Sequence, residues 1–586
     1  MGPAVANFDA IVSLMQEGMD VARLNFSHGS LEEHRQVIRL LKEAREHLQR
    51  PLAIMADIKG PEIRVGVFET GSLQLSAGDI VRLVGIGAEL KKDDIPMRPV
   101  EALSSLSVGM KVLFDDGYII SKVIEVGKDF AVVEIENGGI LKSNKGINMP
   151  DAHLDLPAVT AKDLVDLRFV CEEDVDLIAA SFIRSSHHVL AIKEILEDLG
   201  KPEILVIAKI ENQHGVENFD SIVQVADGVM VARGDLGVEI DLALVPKLQK
   251  MMIRKCYLAC KPAVTATQML ESMILNPRPT RAEASDVANA IYDSTSAIML
   301  SGETAVGKYP IEAVRRMRKI AEAAEEDFPY RQFFEQNTQR DYHDVSSAMA
   351  IAAVRTAYCT NAKALFVFTT SGMNARLTSR LRPEMPIIAV TPDPKVYHQL
   401  GSNWGVIPVF VPGCRSAKEA FAAASHFALQ HGIISFGDLV VVTSGVPFGQ
   451  TGGTNLMTVV SVGEVLIRGY RGFGPKVHGE IMILSAPDEK KAPLLEGKLV
   501  VIPYCDQSFL PLLKKASAII LQNAVDDSNS EKYATLIAKT FGLAMICRAD
   551  GATAVLKDQE KVTLDPQKGL LYRGSEENIT CPTFWL

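Results

Sequence analysis

Seven short apolar runs recur through the first 330 residues, and amphipathic stretches separate most of them. They are VARLNFS from Val21, LAIMADIKG from Leu52, LIAASFIRS from Leu177, ILVIAKIEN from Ile204, GVMVARGDLG from Gly228, PAVTATQML from Pro262 and AIMLSGETA from Ala297. Strands so uniformly apolar need cover on both faces, which parallel sheets obtain from crossover helices. LEEHRQVIRLLKEAREHL, beginning at Leu31, has the helical period such a cover requires. The pattern predicts an α/β fold close to a (β/α)8 TIM barrel, whose functional residues gather at the C-terminal ends of the strands.

One interruption breaks this rhythm. From about Val65 to Asn148 the helical period gives way to short alternating segments divided by Gly and Asp turns, among them VGMKVLFDDGYIISKVIEV. That reads as a small β-barrel inserted into the larger one. The expected domains are therefore a barrel over 1–64 and 150–335, an inserted lid over 65–149, an α/β block over 341–470 and a last α/β block over 476–586.

Composition excludes several classes. The 586 residues are 47% hydrophobic with a formal net charge of −11, which suits a multi-domain soluble protein and argues against general nucleic-acid binding. No apolar run approaches the roughly 18 residues of a membrane span, and the N-terminus lacks a signal-peptide pattern, so no membrane association and a cytoplasmic location are expected. Eight cysteines fall without a CxxC pair, and Cys256 and Cys260 read as small buried hydrophobes.

The strand ends are polar. Lys209 and Glu211 lie two residues apart and share a direction, and Asp235 follows 24 residues after Glu211 at the next strand end. Two carboxylates on adjacent strand ends suit Mg²⁺, while a Lys–Glu ion pair with a capping Asp explains the same residues without a ligand. Other ends add Arg23, Asn25 and Ser27, then Asp57, Glu62 and Arg64, Thr265 and Thr267, Ser301 and Glu303. Each alone reads as a cap or turn residue; together they finish nearly every strand of one barrel.

The stretches ARLNFSHG, KGPEIR, AASFIR, DGVMVARGDLGVE, ATQMLESM, NPRPTRAEASDVANAI and LSGETAVGKYP closely resemble the pyruvate kinase family, in its order. The resemblance covers nearly all of the first 470 residues and implies phosphoryl transfer between phosphoenolpyruvate and ADP, giving pyruvate and ATP. Glu211 and Asp235 match that family's Mg²⁺ (or Mn²⁺) ligands. Lys209 matches the residue stabilising the transferring group and the enolate, and Arg23 the phosphate-binding arginine. Gly234 and Asp235 match the helix start that receives the substrate carboxylate, and Thr267 and Ser301 a proton route to the enolate. Arg64 and Lys145 match contacts to the nucleotide phosphates. Asn25, Ser27, Asp57 and Ile58 match K⁺ ligands, Ile58 standing where threonine is usual. Glu62 matches the glutamate that accompanies K⁺ dependence. Thr369, Ser371 and Gly372 match the loop that receives a sugar-phosphate or nucleotide effector, and a homotetramer is expected.

Two departures stand out. The family's opening strand ends in TIGP, whereas this sequence opens Met1-Gly2-Pro3-Ala4, so the first barrel strand is expected to be missing: either the true start lies upstream or the barrel is incomplete. The last block, clearest from Gly542 to Gly574, resembles the swivelling phosphohistidine domain of phosphoenolpyruvate-utilising enzymes. There Tyr533 takes the histidine position, which implies a structural or regulatory role. A Mg²⁺-dependent lyase on a related barrel and a non-catalytic metabolite sensor are the competing readings. The lid and the NPRPTRAE segment speak against the first, and the intact Arg23, Lys209, Glu211, Asp235 and Thr267 against the second.

Overall fold

In a computed structural model, which describes residues 1–87, 91, 93–338, 344–449, 453–463 and 465–573, the seven apolar runs form one parallel sheet. Its strands, in sequence order across the sheet, are β1 (Val21–Asn25), β2 (Ala53–Ile58), β3 (Leu177–Ala180), β4 (Leu205–Ile210), β5 (Gly228–Ala232), β6 (Ala263–Ala266) and β7 (Ala297–Ile298). Strands β2 to β6 are buried almost throughout, whereas β1 alternates between buried and half-buried and β7 is half-buried. That contrast is what edge position predicts, because β1 and β7 each lack a neighbour on one side and do not pair with each other among the described residues.

The seam between these edges is lined in part by the start of the chain. The Met1 amino group donates to the Arg23 carbonyl at 2.6 Å, and the Ala4 N–H donates to the Ala305 carbonyl at 3.0 Å. A cavity of 1130 Å3 opens there and reaches Met55, Ile207, Met230 and Val264, which belong to the apolar cluster inside the sheet.

The covering helices begin where the sequence provides caps. Ser30 with Glu33, Thr160 with Asp163, and Thr280 with Glu283 each form a reciprocal capping box, worth about 1 kcal/mol per cap. The helix Leu31–Leu48 spans the stretch read as helical from the sequence.

The inserted segment forms a seven-stranded and a two-stranded sheet around its own core, which includes Val65, Leu83, Phe114, Val133 and Leu141. By compactness the chain divides into two units. The first is Met1–Arg340 with Ala375–Glu384 and Asp393–Pro408; the second is Asp341–Asn374 with Met385–Pro392 and Val409–Leu586. Two pieces expected in the third block thus group with the first unit, and specific bonds explain why. Gln399 donates to the Asp176 and Glu203 carbonyls, Trp404 Nε1 to Glu325 at 2.7 Å, and Arg382 to the Thr295 carbonyl.

In the second unit, parallel strands Ala364–Phe368, Ile387–Thr391 and Leu439–Gly445 carry an antiparallel neighbour, Thr454–Ser461. A further sheet centres on parallel Val477–Ile483, Leu499–Ile502, Ala518–Leu521 and Ala544–Cys547. Gly574, the end of the last stretch singled out above, lies outside the described residues.

Candidate active site

Register brings the strand ends to one rim. Asn25 pairs with Asp57, Asp57 with Ala179, Ala180 with Ala208, and Ala232 with Ala266. The residues just beyond those positions therefore face a common space, as the C-terminal ends of parallel strands do.

Asp57, only 2% exposed, is the centre of a continuous charge chain. Its Oδ2 accepts from Arg23 Nε at 2.6 Å, and its Oδ1 accepts from Lys209 Nζ at 3.1 Å and from Ser181 Oγ at 3.2 Å. Lys209 also donates to Ser181 Oγ at 2.7 Å and pairs with Glu211 Oε1 at 2.9 Å. The other Glu211 oxygen accepts from the Phe182 N–H at 2.6 Å. Phe182 takes φ 56°, a left-handed conformation that bulky residues rarely adopt and that costs on the order of 1–3 kcal/mol. Gly60 (φ 67°) is required beside it, since a Cβ there would meet the Ser181 carbonyl at 2.7 Å.

Electrostatics separates the three carboxylates. Burial pushes the Asp57 carboxyl up, but Arg23 and Lys209 outweigh burial and hold it below the usual range. Burial likewise works against the Lys209 ammonium, yet Asp57 and Glu211 hold its pKa well above the ordinary lysine value. Asp235 goes the other way: burial, then the charge of Glu211, pushes it up to about 7. It ion-pairs with no described residue. Two cations thus face three carboxylates, and Asp235 is the one left without an ion pair among the described residues.

The reading of Asp235 as a helix cap does not hold. It lies inside the helix Arg233–Glu239, whose N-cap is Ala232 with no side-chain cap bond. No group of three or more His, Cys, Asp or Glu side chains is arranged around a metal position among the described residues. A dication here would have two carboxylates, a donor set that fits Mg²⁺, since that ion completes its shell with water and substrate oxygens.

Thr267 follows β6 with φ 67°, a strained position for a β-branched residue. Its hydroxyl donates to the Ala266 carbonyl at 2.6 Å and accepts from the Gly234 N–H at 2.8 Å. The Gly234 N–H, expected to face a substrate oxygen, is therefore engaged by Thr267 in this structure. Thr265 parts company with Thr267: it is fully buried and donates to Thr295 Oγ1 at 2.9 Å. Ser301 is held by Glu303, which accepts from the Ser301 N–H at 2.7 Å and the Leu270 N–H at 3.0 Å. Ser301 and Arg23 both line the seam cavity.

Asn25 and Asp57 sit side by side, and Ser27, beyond the end of β1, is turned back by its N–H donating to Asn25 Oδ1 at 3.0 Å. Ile58 ends β2 with its side chain buried, so only its backbone oxygen is suited to a cation. These hard oxygen donors fit a monovalent cation. Glu62 pairs with Arg64 at 2.5 Å and Lys59 at 3.3 Å.

The lid supplies its own charges. Arg64 donates to the Asn144 carbonyl at 2.8 Å, and the neighbouring Lys145 pairs with Asp115 at 2.6 Å while remaining 41% exposed. The tip Asp115-Asp116-Gly117 is left-handed throughout and reaches the barrel rim. A Cβ on Gly117 would stand 3.3 Å from Val238, and Asp116 adds to the upward shift of Asp235. Asn148 Nδ2 donates to Glu239 Oε1 at 2.8 Å, tying the other end of the lid to the helix that carries Asp235.

Sequence reasoning missed Ser181, Asp116 and the bonds that Arg23 and Lys209 donate to Asp57. The AASFIR stretch carries Ser181 in plain view, and neither its strand-end position nor the K⁺-ligand match of Asp57 points to these partners. In the second unit, Thr369 and Ser371 line a 50 Å3 cavity with Thr370, Asn374 and Phe448, and Gly372 beside them takes φ 77°.

Comparison with known proteins places the chain in a family. Family models match three stretches: pyruvate kinase barrel domain over residues 1–314, pyruvate kinase alpha/beta domain over 347–460, and the mobile domain of PEP-utilising enzymes over 494–569. A pyruvate kinase of Geobacillus stearothermophilus is 41% identical over 579 residues, covering 98% of this chain and 97% of that protein. One of Bacillus licheniformis is 40% identical over 578 residues, covering 98% of each. The crystal structure of a pyruvate kinase from Cryptosporidium parvum superposes with a TM-score of 0.76 at 37% identity, covering 79% of this chain and 94% of that one.

Proposed function

The chain belongs to the pyruvate kinase family and is a phosphotransferase, and from that premise we propose the following chemistry for its own residues. It moves the phosphoryl group of phosphoenolpyruvate to ADP, giving pyruvate and ATP in the last step of glycolysis. The observation that carries this reading is the buried chain Arg23–Asp57–Lys209–Glu211 with Asp235 in excess beside it. Phosphoryl transfer asks mainly for alignment and charge neutralisation, and this rim concentrates both signs within reach of one anion.

Glu211 and Asp235 would hold Mg²⁺, which when bound would neutralise substrate oxygens. Arg23 and Lys209 would receive the phosphoryl oxygens, their geometry set beforehand by Asp57 and Ser181. Lys209 would then stabilise the enolate once the phosphoryl group leaves. Thr267, with Ser301 further along the rim, would deliver the proton that converts enolate to pyruvate. Arg64 and Lys145 would take the nucleotide phosphates, and the lid would exclude water. Asn25, Ser27, Asp57 and Ile58 would hold K⁺, with Glu62 marking K⁺ dependence. The loop through Thr369, Ser371 and Gly372 would receive a phosphate-bearing effector, a sugar phosphate or a nucleotide. The five-segment domain division and the cytoplasmic location are proposed from the sequence pattern, and the homotetramer from family membership.

The deciding experiment is pyruvate formation coupled to lactate dehydrogenase, with and without ADP, Mg²⁺ and K⁺. Turnover that needs ADP and Mg²⁺ and rises with K⁺ is expected. ADP-independent pyruvate release would sink the phosphotransfer reading, and full activity with Na⁺ replacing K⁺ would sink the K⁺ site.

A further inference from the structure

Thr267 and Gln268 are consecutive non-glycine residues in the left-handed region, at φ 67° and 53°. Such a pair persists only when its surroundings hold it. The restraint comes from one side chain. Arg233 Nη2 donates to the Thr267 carbonyl at 2.7 Å and to Met269 Sδ at 2.8 Å, while Nε donates to the Ala266 carbonyl at 3.3 Å. Its remaining arm pairs with Asp286 at 2.7 Å, and the arginine side chain is only 12% exposed. The next residue, Gly234, grips the Thr267 hydroxyl through its backbone N–H. Thr267 is therefore held on its carbonyl by residue 233 and on its hydroxyl by residue 234, immediately before Asp235.

We propose that Arg233, oriented by Asp286, is a positioning residue for the reaction: it fixes the Thr267 hydroxyl relative to Asp235 without itself touching the reacting atoms. The proposal rests on the phosphotransfer reading and on the proton-delivery role given there to Thr267. A planar fork reaching two successive carbonyls and a carboxylate is a task lysine does not reproduce. Asp286 lies on the helix Arg281–Tyr292, opened by the Thr280–Glu283 capping box, so that helix orients the arginine from outside the sheet.

The test compares Arg233→Lys, Asp286→Asn and Thr267→Ala with the Arg233→Lys/Thr267→Ala double variant in the full chain. Arg233→Lys should lower kcat about 10- to 100-fold, as a misplaced group does, while the KM for phosphoenolpyruvate and Mn²⁺ binding measured by EPR stay near their normal values. Asp286→Asn should show the same split more mildly. The cost of Thr267→Ala should shrink by about 3- to 100-fold in the Arg233→Lys background, because the hydroxyl is already misplaced there. Additive losses, unchanged kcat in Arg233→Lys, or a kcat loss that merely tracks thermal unfolding would overturn the role of Arg233. Absence of ADP-dependent turnover in the unmodified protein would instead bring down the reaction, and this role with it.

Discussion

The barrel sheet and the parallel centre of the C-terminal sheet both end strands in polar residues, yet only the barrel rim is left with a charge imbalance. In the C-terminal sheet, Leu499–Ile502, Ala518–Leu521 and Ala544–Cys547 are as thoroughly buried as the barrel strands. The last two lead into Gln522, Asn523 and Arg548, and each of these side chains is satisfied locally. Asn523 donates to Glu531 at 3.0 Å and accepts from the Arg548 N–H at 2.9 Å, and Arg548 Nε donates to Glu531 at 2.5 Å. Gln522 accepts from both the N–H and the hydroxyl of Thr553, and the Arg548 guanidinium lies 4.4 Å from the Tyr470 ring centroid. The hydrogen bond from Arg548 holds the Glu531 carboxyl below its ordinary range, whereas Asp235 on the barrel rim is pushed up to about 7. Polar strand ends are thus common to both; a carboxylate without an ion pair, Asp235, distinguishes the barrel rim. Tyr533, 38% exposed on the helix beside the saturated rim, fits that division.

The strongest blow to the comparison is Lys209→Met. Removing this buried ammonium should lower kcat by about 100- to 1000-fold or more, with divalent-ion binding largely intact. Unchanged turnover in the coupled assay would mean that the rim's charge chain is only scaffolding.

A smaller and more diagnostic effect concerns Asp235 and pH. Its carboxyl is protonated below about 7 in the metal-free protein and must lose that proton to hold a cation. Mn²⁺ affinity should therefore weaken roughly tenfold per pH unit on going down from that point and level off above it. Asp235→Asn should bind weakly at every pH and flatten the profile; a sloping profile in that variant would assign the proton elsewhere.

Smaller still are changes at the saturated rim. Glu531→Ala should lower the melting temperature by a few degrees while leaving kcat within twofold or so, since only a local network is cut. Tyr533→His should leave basal turnover unchanged and gain no phosphoryl group from phosphoenolpyruvate, as mass spectrometry of the intact protein would register. A stable phosphohistidine there would erase the distinction between the two rims.

The parallel sheet was legible in the sequence because fully buried strands leave an uninterrupted apolar signature, and β2 to β6 carry it. Lys209 and Glu211 were legible because two residues along an extended chain share a direction. What could not be read was pairing across strands: Asp57 meets Lys209 from 152 residues away and Ser181 from 124. Nor does any periodicity announce that the Asp116 tip comes to rest near Asp235, or that Thr267 is bent into the left-handed region. Spacing within a strand is local information; the rim is assembled by register between strands.

One contact made outside the rim offers a way to observe the protein. Trp404 stands 4.5 Å from the Arg382 guanidinium while its indole N–H is bound to Glu325. With Trp585 the only other tryptophan in the chain, Trp404 is a built-in fluorophore placed against a cation. In a Trp585→Phe background, its emission maximum and its quenching by iodide would report, without any label, whether the segment Asp393–Pro408 stays seated on the helix Pro310–Glu326, which carries Glu325, while ligands come and go at the strand ends.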